Sequence, residues 1–131
     1  MDKERSSRNT KQRKQLLELL RSTKSHPNAF WLFERMEPHF PNLSLSTVYR
    51  NLGILENQGK LLRIPCPSFD RYDGNTAVHT HFYCRACERV YDMDTGGIEA
   101  KVLSSIKQSP HSPEGCNIIF YGICENCNKE N

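Results

Sequence analysis

No stretch of this 131-residue chain approaches the roughly 20 apolar residues that a membrane-spanning helix needs, so a membrane protein is not expected. The chain opens Met1-Asp-Lys-Glu-Arg with no apolar run behind it. A secretory leader is therefore not expected, nor the oxidising compartment in which cysteines pair as disulfides. There is no internal repeat and no low-complexity tract, which removes repeat arrays and tails from consideration. Cysteine is absent from the first 65 residues; all six lie beyond them. What remains, with 37% hydrophobic residues and a mean hydropathy of −0.68, is the composition of a soluble protein forming one domain or two small ones.

The net charge of +3 hides an asymmetry. Residues 1–60 carry eleven Lys/Arg against six Asp/Glu, whereas residues 61–131 carry seven against nine. A basic front half points to a polyanionic partner. The acidic rear half, with most of the histidine and all of the cysteine, points to metal handling. An ordinary solvated surface can also reach such a charge excess.

The most informative residues are Cys84-Arg-Ala-Cys87 and Cys124-Glu-Asn-Cys127. Each turn places two thiolates near one ion, and two such turns complete the tetrahedral Cys₄ shell of a structural zinc site. One pair alone could be a redox motif, and the two together could be disulfides in an oxidising compartment. A short rear half buries little apolar surface, so a metal staple is expected to supply folding energy there. Cys66, between two prolines, reads as an exposed thiol. Cys116, in an expected strand, reads as a small buried hydrophobe.

The front half predicts three helices. Residues 10–22 carry Leu16, Leu17, Leu19 and Leu20 at helical spacing. After His26-Pro27, Asn28 can cap a second helix with apolar positions at Phe30, Trp31 and Phe33. Pro38 and Pro41 break the chain; Ser44 or Ser46 caps a third helix to Gln58, with Val48, Leu52 and Leu55 inward and Gly59 as the stop. Residues 60–64 and 69–72, around a Pro-Cys-Pro-Ser turn, predict a β-hairpin wing. The expected fold class is α/β: a winged helix-turn-helix over 1–72, a hinge over 73–80, and an α/β dimerisation and metal-binding domain over 81–131. In that last domain, residues 81–84, 89–92 and 116–124 read as strands and 97–108 as a helix.

The start of a recognition helix meets base edges and phosphates of double-stranded DNA in the major groove. Ser46, Thr47, Tyr49, Arg50 and Asn51 stand there: Arg50 suits guanine, Asn51 suits adenine, and Ser46 and Thr47 suit phosphate oxygens. Lys11, Arg13 and Lys14 can add backbone contacts. A solvated helix face is the plain alternative. His79-Thr-His81 alternate along a strand and can reach one ion; Asp73 precedes them, Asp92 follows one strand later, and His26 lies far away in sequence. Imidazoles with carboxylates suit Fe²⁺ or Mn²⁺ better than a sulfur-seeking ion. A lone His-x-His in a loop is often merely solvated, as His39 and His111 are expected to be.

Ser44-Leu-Ser-Thr-Val-Tyr-Arg-Asn-Leu52, His79-Thr-His-Phe-Tyr-Cys-Arg-Ala-Cys87 and Tyr121-Gly-Ile-Cys-Glu-Asn-Cys127 resemble the ferric uptake regulator (Fur) family over nearly the whole chain. The resemblance implies a cytoplasmic, homodimeric, metal-dependent repressor with structural zinc and a regulatory iron or manganese. Within the family the chain is most similar to the peroxide-sensing branch (PerR), whose three histidines and two aspartates map onto His26, Asp73, His79, His81 and Asp92. The iron-sensing branch typically carries glutamates where Asp73 and Asp92 stand, and the zinc-sensing branch a cysteine near Asp73. The branch implies that bound Fe²⁺ reacts with hydrogen peroxide and that His26 or His79 becomes 2-oxo-histidine, opening the dimer and releasing DNA. Mn²⁺ would support DNA binding without that oxidation. The chain begins almost directly at the first winged-helix helix, so the additional N-terminal helix of many relatives is expected to be missing or truncated. Ser109–Cys116 departs from the family's histidine-containing approach to the last strand, and a third metal site is not expected. Rival readings are an iron- or zinc-responsive repressor, a static zinc-stabilised DNA-binding or scaffold protein, and a phosphoesterase built on the His/Asp set. The last lacks an evident general base or oxyanion donor, so an enzyme is not expected.

Overall fold

The computed structural model describes residues 2–77, 80–114 and 116–129, with side chains from residue 7 onward. The chain divides into two units, Met1–Thr76 and Ala77–Asn131. The first holds α1 (Asp2–Ser22), α2 (Ala29–Met36), a 3₁₀ turn (Glu37–His39), α3 (Leu45–Asn57), β1 (Leu62–Ile64) and β2 (Arg71–Asp73). Leu16 and Leu20 of α1, Ala29, Leu32 and Met36 of α2, and Val48, Leu52 and Leu55 of α3 share one buried cluster with Leu43, Leu61 and Tyr72. Each fully buried Leu is worth about 1.5–3 kcal/mol over exposure, so apolar packing is the main favourable term in this unit.

Local chemistry sets the helix ends. The Asn28 side chain accepts from Trp31 N–H at 2.9 Å, and Ser44 Oγ accepts from Thr47 N–H at 3.2 Å, which satisfies donors the helices leave orphaned. Gly59, at φ +71°, ends α3 by donating to Glu56 O (2.9 Å) while Lys60 N–H reaches back to Leu55 O (3.0 Å). That pair is a Schellman closure, and it requires the left-handed residue. The wing is pinned by Arg63, whose guanidinium meets Glu56 of α3 at 3.2 Å and Asp70 at 3.0 Å.

The second unit holds β3 (Thr80–Cys84), β4 (Val90–Met93), α4 (Ile98–Ser105), β5 (Ile119–Gly122) and α5 (Glu125–Lys129). Its sheet runs β4-β3-β5, with β3 antiparallel to β4 and parallel to β5. Among its described residues the buried hydrophobics are Tyr83, Cys84, Val90 and Cys124. Two of those four are thiols, so this unit has little apolar core of its own.

Several expectations are corrected. α1 begins at Asp2 rather than at residue 10, because a polar, helix-forming stretch carries no apolar stripe to reveal it. The buried stripe of α2 is Ala29-Leu32-Met36; Phe30 is exposed, Trp31 and Phe33 are half-buried. The aromatics flank that stripe, with Phe30 edge-on to Phe69 and the Arg35 guanidinium 3.5 Å over the Trp31 ring. Cys116 precedes β5 instead of starting it, and Cys116 and Cys66 are both half-buried. Cys124-Glu-Asn-Cys127, expected as a turn, leads into the short helix α5 from Glu125.

Candidate metal centres and nucleic-acid interface

Parallel pairing builds the sulfur site. Because β3 and β5 run the same way, with Cys84 opposite Gly122, both Cys-x-x-Cys turns leave the same end of the sheet. One sulfur from each of Cys84, Cys87, Cys124 and Cys127 lies within 4.8 Å of all the others. Cys87 and Cys124 sulfurs are 3.8 Å apart. A tetrahedron with Zn–S bonds of about 2.3 Å has edges of about 3.8 Å, so the spacing fits zinc. Cys84 Sγ accepts the backbone N–H of Cys87 (3.4 Å) and of Cys124 (3.3 Å), bonds that favour thiolate over thiol.

The Cys87 amide, foremost, lowers the Cys84 thiol to about 6. The Cys124 thiol is also lowered, first by the Cys127 amide and then by the Tyr91 hydroxyl. Cys127 is pushed up to about 12, chiefly by Cys124. Four thiolates in so small a volume repel one another unless a divalent cation neutralises them, which is the electrostatic demand of a metal shell. Tyr91, on β4, donates to Cys124 Sγ at 3.6 Å and stands 4.0 Å from Cys87 Sγ. Nothing in the motif pattern marks Tyr91 as part of the site. Its position four residues after Cys87 and beside Asp92 was the available signal.

The histidines and aspartates form pairs within each unit. In the first, His26 Nε2 lies 3.2 Å from Asp73 Oδ2, both residues buried. Asp73 ends β2 rather than lying beyond the hairpin, and its Oδ1 accepts Asn75 N–H at 2.9 Å. That leaves Oδ2 turned to the imidazole. His26 is held at φ +52°, a strained backbone for a non-glycine residue. Arg71 clamps its carbonyl at 3.1 Å, and Tyr72 N–H donates to Pro27 O at 2.9 Å. Gly74 follows Asp73 where a Cβ would stand 3.0 Å from Arg21 N and Leu20 C, so a larger residue would crowd the approach of β2 to α1. In the second unit, strand register sets His81 opposite Asp92, with Nε2 and Oδ1 3.5 Å apart. Thr80, just before His81 on β3, donates to the Glu99 carboxylate of α4. His79 lies outside the described residues.

The start of α3 presents Ser46, Tyr49 and Arg50 to solvent on one face, with Thr47 half-buried beside them. A groove of about 610 Å³ runs alongside, lined by Arg8, Gln12, His39, Asn42, Thr47 and Arg50. Lys11 is exposed, and Arg13 is half-buried. Asn51 departs from expectation. It is 1% exposed, its amide donating to Gln12 Oε1 at 3.3 Å and accepting from Arg13 at 3.4 Å. Its side chain ties α3 to α1 instead of facing solvent, because the helix turns residue 51 to the core face that Val48, Leu52 and Leu55 occupy.

A winged helix in one unit and a Cys₄ knuckle on a small mixed sheet in the other define a metal-responsive DNA-binding regulator. The chain belongs to the ferric uptake regulator family, whose model matches residues 4–121. It is 31% identical to the peroxide operon regulator of Bacillus subtilis, over 98% of this chain and 89% of that one. It is 30% identical to the peroxide-responsive repressor PerR of Staphylococcus epidermidis, over 92% and 81%. In structure it is similar to the peroxide stress regulator of Campylobacter jejuni, with a TM-score of 0.79, 27% identity, and 97% and 96% of the two chains covered. The ferric uptake regulator of Helicobacter pylori, at 21% identity and a TM-score of 0.75 over 90% and 80%, shares the fold.

Proposed function

We propose that the protein is a homodimeric, metal-dependent repressor that binds a double-stranded DNA operator and releases it on meeting hydrogen peroxide. The observation that carries this reading is the repeated pairing of an imidazole with an aspartate, His26 with Asp73 and His81 with Asp92. With His79, these residues are read as the ligands of one regulatory Fe²⁺ or Mn²⁺, and Cys84, Cys87, Cys124 and Cys127 as the ligands of structural zinc. Two ligands would come from the DNA-binding unit and three from beyond it, with residues 73–80 as the hinge. Metal would then favour one domain arrangement, and both α3 helices of a dimer would be spaced for a palindromic site.

The chain's own residues divide the work. Ser46, Thr47, Tyr49 and Arg50 contact DNA, with Lys11 and Arg13 at the phosphates. Asp73 and Asp92 hold the imidazoles in place and supply charge that favours a hard divalent cation. His26, Asp73, His79, His81 and Asp92 would hold the ion, and Fe²⁺ held there would supply the electron-transfer chemistry that activates hydrogen peroxide beside the imidazoles. His26 or His79 would take up one oxygen as the O–O bond of peroxide breaks and the other oxygen leaves as water; it would then cease to be a ligand, and the arrangement favoured by the metal would be lost. Cytoplasmic residence and the absence of enzymatic turnover belong to the same reading.

A duplex selected from random sequence by the Mn²⁺-loaded protein provides the operator for the test. Binding is expected with either metal. Brief peroxide should abolish it only for the Fe²⁺ form, with one added oxygen on a His26 or His79 peptide by mass spectrometry. An Fe²⁺ form that keeps its operator and unmodified histidines after peroxide would replace this reading with an iron-responsive repressor.

A further inference from the structure

We propose that Tyr91 is a positioning residue of the Cys₄ shell, its hydroxyl engaging the sulfurs of both knuckles so that the zinc thiolates resist peroxide. The topology explains why one side chain reaches both. β3 runs into the first knuckle and β5 into the second, while Tyr91 sits on β4 opposite Phe82 of β3. From there its hydroxyl lies 3.6 Å from Cys124 Sγ as donor and 4.0 Å from Cys87 Sγ. Tyr91 and Cys124 also line a cavity of about 440 Å³ with Phe82, Met93 and Ile123. An oxidant entering that cavity meets the hydroxyl beside the sulfur.

The chemistry at stake is the first rung of thiolate oxidation. An S–O bond forms as the O–O bond of hydrogen peroxide breaks; two electrons pass from sulfur to peroxide, whose other oxygen leaves as hydroxide. The cysteine is left as sulfenic acid and is no longer a thiolate ligand. An O–H donor draws charge from the sulfur lone pair and lowers its nucleophilicity, as outer-shell hydrogen bonds do for metal ligands. The inference rests on zinc at the Cys₄ shell as read above, but not on histidine oxidation.

The test uses the zinc-loaded full-length protein without iron, manganese or DNA, treated with excess hydrogen peroxide. Zinc release is followed with a chromophoric chelator, and zinc content is measured first. Tyr91→Phe keeps the ring and removes the hydroxyl; it is expected to release zinc about three- to tenfold faster. Cys124 should be the first cysteine to gain oxygen. Equal release rates from fully loaded proteins overturn the role of Tyr91 and leave the repressor reading standing. A wild-type protein that purifies with no zinc overturns this inference together with the zinc site. If the Phe variant does not fold, Tyr91→His, whose ring retains a donor, carries the test: release as slow as wild type supports the role, and faster release overturns it.

Discussion

Arg50 and Asn51 are neighbours in sequence with opposite fates. Arg50 is exposed at the start of α3, whereas Asn51 is buried against Gln12 and Arg13. Arg50→Ala should therefore weaken operator binding by about 1–3 kcal/mol and relax discrimination at one base pair, with folding stability unchanged. Asn51→Ala should do the reverse. It leaves the Gln12 carbonyl without a partner in the core, at a cost of about 1–3 kcal/mol in urea denaturation, and base preference should survive. Titrations with a set of single-base operator variants separate the two. The distinction was not legible in the sequence, because both residues are polar and the helix stripe is read from apolar positions alone.

Short elements carry strain where the sites are built. Glu88, just after the first knuckle, lies at φ +62° while its N–H donates to Cys84 O at 2.8 Å. A glycine takes that conformation without Cβ penalty, so Glu88→Gly should raise the stability of the zinc-loaded protein by about 0.5–1 kcal/mol. Thermal unfolding checks it; a loss of stability would mean that the Glu88 side chain contributes more than its backbone costs. The caps at Asn28 and Ser44 and the stop at Gly59 were legible in sequence because each acts within one turn of its own helix. The left-handed His26 and Glu88 were not, since tertiary contacts impose them on residues that do not favour that conformation.

Over the whole molecule the two units are held by different means. The first is held by apolar packing; the second, with few buried hydrophobics, leans on its sulfur shell. With Cys84 at about 6 instead of 9.0, the folded knuckle keeps a thiolate where an unfolded chain binds a proton. Its contribution is present in full above the unfolded value and is lost as pH falls through about 6. Zinc binding also expels the proton that Cys127 holds up to about 12, so zinc affinity should climb with pH. Chelator competition across a pH series should show zinc retained near neutrality and surrendered on the acid side. Cys84→Ser should lose zinc and the dimer at every pH; a stable, dimeric, zinc-free variant would remove the structural role of the site. Phe120 and Tyr121 on the edge strand β5 are exposed large hydrophobics of the second unit, as are Met93, Val102 and Ile106.

The order of helices, wing and sheet and the two cysteine pairs were determined by the sequence itself. Helical stripes, capping residues and ligand spacing are local, and each is written within a few positions. Tertiary structure alone decided which neighbours those residues meet. The parallel pairing of β3 with β5 joins knuckles forty residues apart, and the antiparallel register with β4 brings Tyr91 to their sulfurs. Strand pairing over such separations is set by the packing of the whole sheet, which no local pattern encodes.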